Sequence, residues 1–192
     1  MSILLPLFGV DLDIATLLLA MIPFFTILFT PLFGALVDRV GKATLWMIVG
    51  SALVLTSHLI ITFAPQGEPV YAYIAIAMLG VGYSLVPSAM WPSVPKIVPE
   101  KNLGTAYSLI YWVQNMGMWA VSIYVGRIFT HYITPASETE AVLRHSQEVS
   151  AAIHAEYVFI LLGIVAIVVA FLLFFSSRRH PELRLAQSAQ GV

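Results

Sequence analysis

Cysteine is absent from this 192-residue chain, which excludes a disulfide framework and any thiolate metal site and leaves the redox compartment unreadable. Charge is scarce too. Asp, Glu, Lys and Arg make up 10% of the residues, against roughly 25% in an ordinary soluble domain. So thin a polar coat cannot wet a surface, and a hydrophobic fraction of 59% makes lipid the natural solvent. A net charge of −1 offers no basic face to nucleic acid. The N-terminus shows neither the basic flank nor the small-residue cleavage site of a secretory leader. No low-complexity segment or short internal repeat is present.

What the chain does have is long apolar runs. A helix crossing a bilayer needs about 20 mostly apolar residues, and five stretches qualify, about 14–37, 43–64, 71–93, 103–130 and 155–177. None shows the alternating, turn-punctuated pattern of a membrane barrel strand. Hydrocarbon holds no water, so each run must satisfy its own backbone groups as a helix. The expected fold class is therefore an all-α membrane protein: a five-helix bundle over 1–180 and a tail over 181–192.

Basic residues set the orientation. Arg39 and Lys42 follow the first run, Lys96 and Lys101 the third, and Arg178, Arg179 and Arg184 the fifth, whereas the connection 65–69 has none. The positive-inside rule places those basic loops and the C-terminal tail in the cytoplasm and the N-terminus outside. An external start without an export signal reads as six spans lacking their first. In the connection 131–153, Ser137-Glu138-Thr139-Glu140 fits a capping box, and Val142, Val149 and Ile153 recur at helical spacing. It reads as a short helix lying on the outer surface, or as a solvated linker with some helicity.

Uncharged polar residues mark two of the runs. In the fourth, Tyr107, Tyr111, Gln114, Asn115, Met118 and Ser122 form one helical stripe. Polar groups avoid hydrocarbon, so the stripe faces either a watery cavity or a neighbouring helix that it glues by hydrogen bonds. The third run carries Gly80, Gly82, Tyr83, Ser84, Pro87, Ser88, Trp91 and Pro92. Each proline removes a backbone bond, so this helix should bend towards its cytoplasmic end. Broken helices are where transporters place binding sites and hinges. Tyr83 is expected at a cavity; Trp91 fits a cavity or a headgroup-level anchor equally.

Chemistry beyond binding is harder to find. No acid lies in the middle of a run, and His58 is the only readily titratable group well inside one. A proton relay or a neutral hydrogen bond to another helix both suit it. Ser84 and Ser88 have no base at suitable spacing, and His58 stands alone, so no enzyme, metal or cofactor is expected.

The most informative stretch is Gly34-Ala35-Leu36-Val37-Asp38-Arg39-Val40-Gly41-Lys42. Its Gly-x-x-x-Asp-Arg-x-Gly-Lys spacing closely resembles the loop signature of the major facilitator superfamily of transporters. Pro99-Glu100-Lys101-Asn102-Leu103-Gly104-Thr105-Ala106-Tyr107 is similar to the loop and helix start before that family's eleventh span. The run Ala89-Met90-Trp91-Pro92-Ser93-Val94-Pro95 resembles the branch that contains the lysosomal dipeptide transporter and its bacterial relatives.

The resemblance implies spans eight to twelve of a twelve-span protein whose two halves rock about a central site. The first seven spans would lie outside this chain, as a truncation or a partner. It implies a latch, in which Asp38 meets the positive end of a helix in the opposite half, and Gly104-Thr105 receives the equivalent acid. Gly34 would allow a helix to come close, Gly41 a tight turn, and Arg39 and Lys42 would hold the anionic cytoplasmic surface. Tyr83, Ser88, Trp91, Tyr111, Gln114 and Asn115 become candidate solute contacts, and Pro87 and Pro92 candidate hinges. The expected cargo is a small polar solute, a dipeptide by resemblance, with an organic anion, nitrate or sugar as the alternative. A non-transporting scaffold subunit is the competitor outside transport. A bacterial inner membrane suits the short loops; a eukaryotic protein of this branch would be lysosomal.

Overall fold

The computed structural model describes residues 4–133 and 141–180 together with Leu185, and every regular element among them is helical. A short α1 (Leu4–Phe8) precedes α2 (Leu12–Val40), α3 (Ala43–Phe63) and α4 (Pro69–Met90). A 3-10 turn at Trp91–Ser93 leads into α5 (Val94–Ile97), and a second at Glu100–Asn102 leads into α6 (Leu103–Tyr132). The last helix, α7, runs from Ala141 to Arg179. Four stretches are long and apolar enough to cross a bilayer: Leu12–Val40, Ala43–Phe63, Pro69–Ile97 and Leu143–Arg179. The 30 residues of α6 extend about 45 Å at 1.5 Å per residue, long enough to cross, with a more polar surface.

One expectation changes. The segment after residue 140 is not a separate helix lying on the surface but the opening turns of the 39-residue α7. Residues 141–162 contain no glycine or proline to stop a helix. The capping-box pattern at 137–140 lies outside the described residues, as does the tail over 181–192 apart from Leu185.

Packing runs from helix to helix. α4 packs on α2 and α3, α3 on α7, and α7 on α6. Lipid supplies no hydrophobic drive between helices, so close approach of small residues does the work. Ala15, Ala72, Ala75, Ala151, Ala152 and Ala155 are buried, and Ser57 Oγ donates to the Ala75 carbonyl at 2.7 Å, joining α3 to α4. At Gly82 a methyl group would lie 2.8 Å from the Gly50 carbonyl oxygen, so the two backbones nearly touch. Outward-facing Ile27 and Leu32 of α2 and Leu161 and Leu172 of α7 are more than half exposed, as lipid-facing residues should be.

The core divides between the two ends. At one, Leu4, Leu7 and Phe8 of α1 cluster with Leu18, Ile61, Ile76 and Ala152. At the other, Val37, Ala43, Met47, Ala89 and Ala170 cluster beside the α2–α3 turn. α6 contributes no buried residue, the signature of a helix with one side still unpartnered within this chain.

Candidate functional site

The middle of the bundle holds an open cavity of about 870 Å³, towards which α2, α3, α4, α6 and α7 all contribute side chains. Its shape follows from the prolines. Pro87 sits within α4, where the missing N–H leaves the Tyr83 carbonyl without its helical donor. The α-helix ends at Met90, two residues before Pro92, and tightens into the 3-10 turn. Pro95 likewise offers no N–H to the Trp91 carbonyl, which accepts from Val94 N–H and from Tyr107 Oη at 3.4 Å. The broken end therefore carries Trp91 to α6, where its ring stacks on Tyr111 at 5.0 Å and tilts against Tyr107 at 5.7 Å.

Of the six candidate contacts, Tyr83, Trp91, Tyr111 and Gln114 line this cavity, together with Ser51, Thr26 and apolar neighbours. Ser88 and Asn115 are placed differently. Ser88 is buried and donates its hydroxyl to the Leu85 carbonyl at 2.8 Å within its own helix. Asn115 is exposed and folds back, its Nδ2 donating to the Tyr111 carbonyl at 2.7 Å. Further along the stripe, Ser122 does the same to Met118. Tyr107, not among the six, is the residue that seats Trp91. No Asp, Glu, Lys, Arg or His lines the cavity among the described residues, so its electrostatics come from hydroxyls, one amide and ring faces.

The loop signature forms a tight reversal. Asp38 and Arg39 are exposed in the last turn of α2. Gly41 follows at φ 70° and ψ −150°, a region open in practice only to glycine, and Lys42 at φ 55° in the left-handed region. Gly41 N–H donates to the Val37 carbonyl at 2.8 Å, and Trp46 Nε1 donates to the Gly41 carbonyl at 3.1 Å. The carbonyl of Leu185 accepts from Ala43 N–H at 3.2 Å, capping α3. Gly41→Ala is expected to cost about 1–3 kcal/mol through backbone strain, read as a lower melting temperature in detergent. Gly104 and Thr105 are exposed in the first turn of α6 at the same end of the bundle. Gly34 has nothing within 4 Å of where a Cβ would stand, so no helix among the described residues approaches it.

His58 does not stand alone. Its Nδ1 lies 2.7 Å from Glu156 Oε2, and Glu156 is 2% exposed. The sequence reading treats Glu156 as the edge of a span. The helix in fact begins at Ala141, so this acid lies well inside it, and α7 does bring an acid into the bundle. The pair lies apart from the cavity and shares no residue with its lining.

Comparison with known proteins completes the picture. The chain matches the Major Facilitator Superfamily over residues 1–191. Over 99 residues, 52% of this chain, it is 40% identical to the lysosomal dipeptide transporter MFSD1 of Homo sapiens. The same protein from Mus musculus is 41% identical, and that from Gallus gallus 40%. The match covers 20% of the human and mouse proteins and 22% of the chicken protein, so the chain spans only about a fifth of their length. No solved structure matches. With a signature loop that turns on Gly41, apolar membrane-length helices and a family match along almost its whole length, this chain belongs to the major facilitator superfamily.

Proposed function

We propose that the chain is the solute-binding second half of a secondary transporter that moves dipeptides or similar small peptides by alternating access. The observation that carries this reading is the central cavity: uncharged, open, and walled by Tyr83, Trp91, Tyr111 and Gln114. A peptide is polar along its backbone and varied in its side chains. Gln114 offers both a donor and an acceptor to backbone amides, and the ring faces accept side chains of many shapes. The names of the relatives point the same way.

The rest of the machine follows from the same reading. The basic loops lie in the cytoplasm, Pro87 and Pro92 let the end of α4 flex, and Asp38 and the Gly104-Thr105 helix start latch against the opposite six helices. The almost unburied α6 is the face those helices cover. The solute gradient or an ion gradient supplies the drive.

The test is uptake of a dipeptide panel into proteoliposomes holding the full-length protein. Trp91→Ala removes the stacked wall and is expected to raise KM about tenfold, the equivalent of about 1.4 kcal/mol. Gln114→Ala removes one polar contact, worth about 0.5–1.5 kcal/mol, and should raise KM less. Unchanged uptake by both variants across the panel would remove the cavity from the transport path.

A further inference from the structure

The His58–Glu156 pair lies inside the bundle, away from the solute path. His58 is five residues before Phe63, the last residue of α3, which places it about 7.5 Å below that helix end at 1.5 Å per residue. The 21 residues of α3 match a hydrocarbon core of about 30 Å, so the pair sits within the apolar layer rather than among headgroups. Its walls are apolar. His58 stacks on Phe159, ring centroids 5.1 Å apart and planes within 11°. At this end of the bundle Leu7 and Phe8 of α1 pack with Ile61 of α3 and Ala152 of α7.

Other titratable groups at this end are exposed or engaged elsewhere, apart from Tyr71. α1 offers none. α4 brings Tyr71, half-buried in the apolar cluster, and Tyr73, exposed, with Glu68 exposed at its N-cap. α2 brings Asp11 and Asp13, both exposed. From α6, Tyr132 stacks on His154, not on the pair, and Arg127 and His131 are exposed. On α7 itself Glu148 pairs with Arg144, His154 Nδ1 lies 2.8 Å from the Ser150 carbonyl, and His145 and Tyr157 are exposed.

A site of this kind tolerates net charge poorly. Glu156 and the two ring nitrogens of His58 are neutral overall when they hold two protons, as imidazolium facing carboxylate or as imidazole facing carboxylic acid. A third proton leaves a buried cation. Removing one leaves a buried carboxylate against a neutral ring. Either charge is relieved if α3 and α7 part and water enters. We propose that His58 and Glu156 form a proton-dependent lock, which holds α3 to α7 at this end while the pair carries two protons and loosens on gain or loss of one. The lock is independent of which solute the protein carries.

The test follows thermal unfolding of the full-length protein in detergent from about pH 4 to about pH 9, spanning the ordinary ranges of both groups. The variants are Glu156→Gln and the apolar pair His58→Phe with Glu156→Leu. Wild type is expected to be most stable at an intermediate pH and to lose about 4 °C or more towards at least one extreme; both variants should flatten that profile. Infrared difference spectra should show a protonated-carboxyl band that grows in acid in wild type and is missing in Glu156→Gln. If Glu156→Gln does not fold, the apolar pair decides, since it removes both charges and keeps the ring on Phe159. An apolar-pair profile that follows wild type at every pH overturns the lock and leaves the pair as packing. Neither readout depends on transport, so failure here leaves the cavity assignment intact.

Discussion

Replacing His58 with leucine in the full-length protein is expected to destabilise it by about 1–3 kcal/mol, the usual cost of leaving a buried polar group without its hydrogen-bond partner. Glu156 is 2% exposed and has no hydrogen-bond partner other than His58 among the described residues. Leucine fills part of the space but offers nothing to the carboxylate. That loss corresponds to a fall of a few °C in melting temperature. The double variant His58→Leu with Glu156→Leu removes both polar groups at once and is expected to be more stable than the single variant, since replacing both partners of a buried hydrogen bond by apolar groups is often nearly neutral. Thermal unfolding of wild type, both single variants and the double variant closes the cycle and isolates the coupling. A single variant as stable as wild type would mean that the acid needs no partner.

That pair also shows where reading from sequence stops. Membrane class and helical content are local properties: apolar runs, scarce charge and the need of each backbone to satisfy itself make an all-α membrane protein legible from residue types alone. The turn at Gly41 is legible for the same reason, because its special backbone geometry is written into the residue that adopts it. The pairing of His58 with Glu156 links positions 98 residues apart. No periodicity within either helix announces it, and starting the last run at 155 leaves the acid at a span's edge rather than well inside a longer helix.

The candidate contacts divide on the same principle. Helical spacing brings Tyr111 and Gln114 onto one side of α6, and the cavity meets that side. Spacing alone does not say that the Asn115 amide spends its hydrogen bond on the Tyr111 carbonyl, or that Ser88 spends its own on Leu85. Short polar side chains in helices have the backbone within reach as a competitor for any ligand. Long and aromatic ones, such as Trp91 and Tyr83, do not, and they are the ones left facing open space. The one signal for Tyr107 was its place four residues before Tyr111, which lets both rings meet Trp91.

Glycine gives the second large effect. The sequence reading assigns close helix approach to Gly34, but within this chain the tight crossing belongs to Gly82 and Gly50. A Cβ at Gly82 would stand 2.8 Å from the Gly50 carbonyl oxygen, 3.0 Å from Val54 Cγ2 and 3.1 Å from Leu53 Cβ. The first neighbour is backbone and cannot rotate away, so α3 and α4 must separate along an interface built from small residues. Gly82→Val is expected to cost about 1–3 kcal/mol or more through overpacking, with a matching fall in melting temperature. Gly34→Ala meets open space and sits within α2, where alanine is the better helix former by roughly 0.5–1 kcal/mol. Its stability should hold or rise slightly. If Gly34→Ala nonetheless slows dipeptide uptake, the helix it obstructs belongs to a surface outside this chain, which is where the latch reading puts it. If uptake and stability are both unchanged, Gly34 has no close neighbour anywhere in the working protein, and the latch must rest on Asp38 and the Gly104-Thr105 helix start without it.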